Sequence, residues 1–120
     1  MNISMIGSGY VGLVSGACFA EFGANVTCID KDPDKIRKLQ QGRIPIYEPG
    51  LEELVETNVK GGRLLFSNAY SDVIGNSDLV FIAVGTPTRR GDGYADLSYV
   101  YQAAKEIAPL LEGYTVIVDK

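Results

Sequence analysis

Apolar and polar positions alternate along this chain in blocks of two periods. Asn2 to Ile6 is a short run of the kind a buried strand makes, and it begins at the N-terminus. Glycines follow at Gly7, Gly9 and Gly12, and from Tyr10 to Phe22 the residues are mostly small or apolar, which predicts a helix packed closely on a sheet. Gly23 suits the residue just past its end. Asn25 to Ile29 is rich in β-branched residues and predicts a second strand ending at Asp30. Pro33 falls where a first helical turn tolerates it, and Lys35 to Gln41 continues as a short polar helix that stops at Gly42.

Ile44 to Pro49 is a loop with two prolines. In the next segment Leu51, Leu54, Val55 and Val59 recur at helical spacing, with Glu52, Glu53 and Glu56 outward. Leu64 to Phe66 predicts a third, short strand, and Asp72 to Ile74 a single helical turn. Leu79 to Val84 is continuously apolar, the mark of a strand covered on both faces. Gly85 to Asp96 is a loop rich in Gly, Thr and Arg, with Asp96 as a helix N-cap. The helix after it runs from Leu97 to about Leu111, with Val100, Ala103, Ala104, Ile107, Leu110 and Leu111 inward and Pro109 shortening or kinking it. Tyr114 to Val118 is the last strand. Strands alternating with helices predict an α/β domain over residues 1–120: a doubly wound, Rossmann-like parallel sheet of five strands in the order 3-2-1-4-5, in three αβα layers.

The glycines carry the first chemistry. Gly7-Ser8-Gly9-Tyr10-Val11-Gly12 is a G-x-G-x-x-G run, weak alone but here set directly after a strand and at the opening of a helix. Gly7 permits the tight turn, Gly9 lets a pyrophosphate approach the backbone, and Gly12 lets the helix pack against the strand. The helix N-terminus offers free N–H groups to the phosphates. Asp30, at the end of the second strand, stands where a carboxylate hydrogen-bonds the adenosine ribose and repels a 2′-phosphate, so NAD is expected over NADP. Lys31, Lys35 and Arg37 complicate that choice, since a nearby cation can receive a phosphate. Val84-Gly85-Thr86-Pro87-Thr88 ends the fourth strand, beside the switch point where such sheets bind ligands. By spacing alone, Pro45 to Leu51 is loop–helix punctuation, with Ile46 or Tyr47 stapling onto the helix.

Composition narrows the picture further. Histidine is absent, which removes a His base, a Ser-His-Asp triad and most catalytic zinc sites from these residues. Eleven basic residues against fifteen acidic ones, with no long basic run, argue against nucleic-acid binding. No stretch is long and apolar enough to span a membrane, the N-terminus lacks the basic region of a signal peptide, and the cytoplasm is the expected location. Cys18 and Cys28 show no metal spacing and are expected to be small buried hydrophobes; Tyr99 and Tyr101 are packing or surface groups. A length of 120 residues suits one domain and leaves little room for the separate substrate region of a dehydrogenase.

Together the motifs resemble the nucleotide-sugar dehydrogenases, the family of UDP-glucose 6-dehydrogenase and GDP-mannose 6-dehydrogenase. The resemblance covers the whole chain. It rests on Gly-Ser-Gly-Tyr-Val-Gly-Leu at 7–13, Ile-Asp at 29–30 with Lys35, Pro-Ile-Tyr-Glu-Pro-Gly-Leu at 45–51, Gly-Arg-Leu at 62–64, Val-Gly-Thr-Pro at 84–87 and Ala-Asp-Leu-Ser-Tyr-Val at 95–100. Pro-Ile-Tyr-Glu-Pro and the segment around Ala95 to Leu97 are more similar to the UDP-glucose branch than to the GDP-mannose branch. The resemblance implies the N-terminal NAD domain of a homodimeric enzyme that oxidises the sugar C6 alcohol to a carboxylate in two NAD-dependent steps, through a catalytic cysteine. It implies cofactor contacts at Gly7, Gly9, Tyr10, Val11 and Gly12, at Asp30 and Lys35 on the ribose, and at Val84, Gly85, Thr86 and Pro87 towards the nicotinamide. The family's cysteine lies beyond Lys120 and matches neither Cys18 nor Cys28, so the chain is expected to be truncated at its C-terminal side, with no catalytic residue assigned and UDP-glucose held by the missing part. The alternatives are a GDP-mannose or UDP-N-acetylhexosamine dehydrogenase, or a non-catalytic dinucleotide-binding module.

Overall fold

A computed structural model of the chain describes residues 1–71 and 73–120. Five strands, β1 (Asn2–Ile6), β2 (Asn25–Ile29), β3 (Leu64–Ser67), β4 (Leu79–Ile82) and β5 (Val116–Asp119), form one sheet in the order β3-β2-β1-β4-β5, all pairs parallel. The predicted doubly wound topology is the one observed. Among the described residues four helices connect them: α1 (Tyr10–Glu21), α2 (Pro33–Gln40), α3 (Leu51–Lys60) and α4 (Ser98–Ile107), with 3₁₀ turns at Ile74–Asn76 and Ala108–Leu110. Of the helical turn expected at Asp72 to Ile74, Asp72 lies outside the described residues, and Ile74 opens the first 3₁₀ turn.

Alternation along each strand divides the interior in two. Ile3 and Met5 of β1, Val26 and Cys28 of β2, and Leu64 and Phe66 of β3 face α1, α2 and α3, where they meet Leu13, Ala17, Ile36, Leu39, Leu51 and Val55. Ile6, Ile29, Val80 and Ile82 point the other way, against Ala103 and Ile107 of α4 and Ile74. Two helical layers around one sheet give the three-layer arrangement. The edge strands are less covered, and Leu65 and Ile117 stay exposed.

Small residues set how closely α1 approaches the sheet. Gly12, Leu13, Gly16, Ala17 and Ala20 form its buried stripe. A Cβ on Gly16 would lie 2.9 Å from the Cys28 sulfur. Cys28 is buried as expected, and burial pushes its thiol up to about 12. Cys18 is exposed, contrary to expectation, because it sits one helical step of about 100° beyond Ala17 and leaves the stripe. The same offset from Ala103 leaves Ala104 exposed.

Several boundaries differ from the sequence expectation. β4 ends at Ile82 rather than Val84. Ala83 still donates to the Ile6 carbonyl at 2.8 Å, but the neighbouring chain then turns away at Gly7, whose φ is +102°. β5 begins at Val116 rather than Tyr114, following the turn at Gly113, and Tyr114 is exposed. α4 ends at Ile107, and Pro109 lies in the 3₁₀ turn that shortens it. Asp96 accepts from the Ser98 amide at 2.9 Å, while Leu97 occupies the N-cap position itself. Ile46 packs onto the core beside α3; Tyr47 does not, and is 93% exposed.

The sheet hydrogen bonds run on past the carboxyl ends of the strands. Asp30 donates to the Ser67 carbonyl at 3.1 Å, Gly7 to Ile29 at 2.7 Å, Ala83 to Ile6 at 2.8 Å and Lys120 to Ile82 at 3.0 Å.

Candidate functional site

Directly beyond those extended ends is a cavity of about 890 Å³. That is within the usual size range of small-molecule sites. Gly7, Gly9, Tyr10 and Val11 line it from the β1–α1 turn, Asp30 and Lys35 from β2 and α2, and Val84, Gly85, Thr86 and Pro87 from the segment after β4. Of the predicted site residues only Gly12 is off the wall. It is buried beneath the turn, where an added Cβ would come within 1.8 Å of the Gly7 carbonyl oxygen.

The three glycines have separable tasks. Gly7 adopts φ +102° and its missing side chain admits the Ala83 carbonyl, which a Cβ would meet at 2.6 Å. Gly12 admits the turn itself onto α1. Gly9 meets nothing: a Cβ there would project into open space with no atom within 4 Å. Its φ of −74° is one any residue adopts, so the turn does not require glycine at this position. The room above Gly9 is a place for a ligand group close to the backbone. Gly9 is also the N-cap of α1 and has no side chain to take up the first-turn amides, and the first turn holds no acidic residue. Free amides at a helix N-terminus suit a phosphate.

Asp30 faces the same space from the end of β2. One carboxylate oxygen accepts from the Ser8 amide at 3.0 Å and the Ser8 hydroxyl at 2.8 Å, and the other from the Asp32 amide at 3.1 Å. The Lys35 ammonium lies 3.5 Å away. Partial burial acts against the charge, but the Asp32 and Ser8 bonds and Lys35 together hold the carboxyl below its ordinary range. Asp32, for its part, caps α2 by accepting from the Asp34 and Lys35 amides.

The Pro45–Gly50 loop reaches this site through a hydrogen bond. The Tyr10 hydroxyl donates to Glu48 at 3.1 Å, and that hydrogen bond, with the charge behind it, raises the Tyr10 phenol. The loop then enters α3 through Gly50 at φ +82°. On the far side, the segment after β4 folds back on itself. Thr88 bridges Ala95, Arg89 pairs with Asp92 at 2.5 Å and lies over the Tyr94 ring, and the Asp96 amide donates to the Pro87 carbonyl at 2.6 Å.

Sequence spacing did not assign Tyr70, Tyr99 or Gln102 to the site. Tyr70, which follows β3, and Tyr99, Gln102 and Ala103 of α4 line the cavity beside Lys31. Burial, followed by the charge and hydrogen bond of Glu106, pushes the Tyr70 phenol up to about 12. No periodic signal marks a lone tyrosine in a loop. For α4, the helical pattern could have placed Tyr99 and Gln102 on the face flanking Ala103. Among the described residues no group of three or more His, Cys, Asp or Glu is placed to hold a metal ion.

A glycine turn with open space over its middle glycine, a helix N-terminus without an acidic or capping side chain, and a fixed carboxylate at the end of the next strand fit an adenine dinucleotide. The UDP-glucose/GDP-mannose dehydrogenase family, NAD binding domain, matches residues 1–120. The chain belongs to this family. NAD is accordingly the cofactor of the domain. The UDP-glucose 6-dehydrogenase of Rhizobium meliloti strain 1021 is 62% identical over the whole chain, which spans 28% of that relative. Among solved structures, a ternary complex of GDP-mannose dehydrogenase from Pseudomonas aeruginosa superposes with a TM-score of 0.84 at 39% identity, covering 89% of this chain and 24% of that one. The UDP-N-acetyl-mannosamine dehydrogenase Cap5O of Staphylococcus aureus gives 0.90 at 33% identity, covering 99% and 28%. The chain thus spans about a quarter of the length of the relatives it matches, and one fold serves dehydrogenases named for three different sugars.

Proposed function

We propose that this chain is the NAD-binding part of a UDP-glucose 6-dehydrogenase, which oxidises UDP-glucose to UDP-glucuronate in two NAD-dependent steps. The observation that carries the reading is the 62% identity, across all 120 residues, to a relative of that name. When bound, NAD supplies the hydride acceptor. The residues of this chain bind and orient it. Gly7, Gly9, Tyr10 and Val11, with the α1 N-terminus, hold the pyrophosphate over the room above Gly9. Gly12 acts from below, by letting α1 close on the turn. Asp30 accepts from the adenosine ribose hydroxyls, and Lys35 fixes that carboxylate. Val84, Gly85, Thr86 and Pro87 border the nicotinamide half.

No catalytic role is proposed for any residue between Met1 and Lys120. In this reading the domain is truncated at its C-terminal side, and the nucleophile, the sugar site and the dimer contacts belong to a longer homodimeric, cytoplasmic protein. Among the described residues no helix is long and apolar enough to cross a membrane. The test is NADH formation by the longer protein supplied with UDP-glucose, GDP-mannose or UDP-N-acetylmannosamine. Turnover of UDP-glucose above the other two supports the reading. Turnover of another sugar alone moves the chain to that branch, and NAD binding without turnover of any would leave a non-catalytic module.

A further inference from the structure

Four cations follow Asp30 closely in the chain, Lys31, Lys35, Arg37 and Lys38, and each is a candidate to receive the 2′-phosphate of NADP; Lys38 is exposed on α2 and off the cavity wall. The structure accounts for the other three. Arg37 pairs with Asp34 at 3.0 Å along α2 and is off the cavity wall. Lys35 is on the wall but lies 3.5 Å from Asp30, the carboxylate that opposes a phosphate there. Lys31 is also on the wall, and it is drawn to Glu106 of α4, 75 residues away. The remaining lysine of the wall, Lys120, follows β5, three strands from β2 and so roughly 14 Å along the sheet.

Glu106 is built to hold that position. Its side chain is only 24% exposed, and besides Lys31 it accepts from Gln102 at 2.8 Å and from the Tyr70 hydroxyl. Those bonds, led by Lys31, keep its carboxyl below the ordinary range and charged at neutral pH. The other ion pairs within helices, Lys60–Glu56 and Arg37–Asp34, join two largely exposed partners and lack this anchoring.

We propose that Glu106 is a positioning residue for cofactor choice: by holding Lys31 against α4 it denies a 2′-phosphate the cation beside Asp30, and so favours NAD over NADP. This rests on Asp30 facing the adenosine ribose. Lys31 is 60% exposed, and an ion pair of that kind is worth only a few-fold in binding. Releasing it changes a ratio rather than creating a new specificity.

The test is calorimetric titration of the chain with NAD and with NADP, for wild type, Glu106→Gln, Lys31→Gln and the double variant. Glutamine removes the charge and keeps one acceptor oxygen, with an NH2 donor in place of the other. The ratio of the NADP to the NAD dissociation constant is expected to fall about three- to fivefold in Glu106→Gln. The gain should vanish in the double variant and shrink in high salt. A purely structural role would weaken both dinucleotides together and leave the ratio in place, which would overturn the proposal. So would a gain that survives loss of Lys31. Failure of wild type to bind NAD at all would instead overturn the reading of Asp30, and this proposal with it.

Discussion

Asp30 shows how much one side chain settles at the residue scale. Its carboxylate has about four acceptor positions, and three are engaged by Ser8 and Asp32 before any ligand arrives. Replacing it with alanine is expected to weaken NAD by about 1–3 kcal/mol, measured by titration, the range for unmade hydrogen bonds to a charged group. Ser8, itself fully buried, loses both bonds to Asp30 in that variant, so Tm should drop as well. The pH dependence has a definite sign. A carboxyl held below its ordinary value stabilises the fold above that value, and the contribution is lost as pH falls through the lowered one. Denaturant melts of wild type and Asp30→Asn should therefore differ by a constant amount at neutral pH and converge only below the ordinary aspartate value of 3.8. A gap that closed between pH 7 and 5 would contradict this. Asp30 was legible from sequence because a spacing rule places it. Its bond to Ser8 and the reach of Lys31 to Glu106 were not, since no local pattern records partners 22 and 75 residues apart.

Among the elements, the β1–α1 turn separates what folding needs from what binding needs. Gly12→Ala places a Cβ 1.8 Å from a backbone oxygen, which no rotamer relieves. It is expected to cost about 1–3 kcal/mol or more by overpacking, visible in thermal unfolding without any ligand. Gly9→Ala meets no atom within 4 Å and has an ordinary φ, so its unfolding should match wild type. Its NAD affinity should fall, because the methyl occupies the space over the helix N-terminus. If Gly9→Ala bound NAD as wild type does, the pyrophosphate would have to lie elsewhere. Hydrophobic periodicity located β1, β2, α3 and α4 here because each buries a face or a stripe, while α2 was marked by Pro33 and Gly42. It missed ends, such as Val84 and Tyr114, where pairing is decided by whether the neighbouring strand is still alongside. It also missed Cys18, since a helix as apolar as α1 does not reveal by composition which side meets the sheet.

At the scale of the whole molecule, binding and stability are joined. A ligand of the native state alone stabilises by about 2.7 kcal/mol at a hundredfold excess over its dissociation constant. For a domain of this size NAD should then raise Tm by roughly 10 °C. UDP-glucose, which the proposal assigns to residues outside the chain, should leave it unchanged. A shift with UDP-glucose alone would place a sugar-nucleotide site within these 120 residues. Two cores share the sheet, and neither is independent of it, because β1 and β2 supply side chains to both. The hydrogen bonds from Asp30, Gly7 and Ala83 that prolong the sheet under the cavity have a consequence in time. The Gly7 and Ala83 amides belong to the central ladder, so they should exchange with solvent only when the whole sheet opens, as slowly as Met5 or Cys28. A cofactor arriving at such a floor finds it already formed. At the proposed site, the association rate of NAD is then expected to be set by diffusion and by the side chains at the rim, which stopped-flow binding would check.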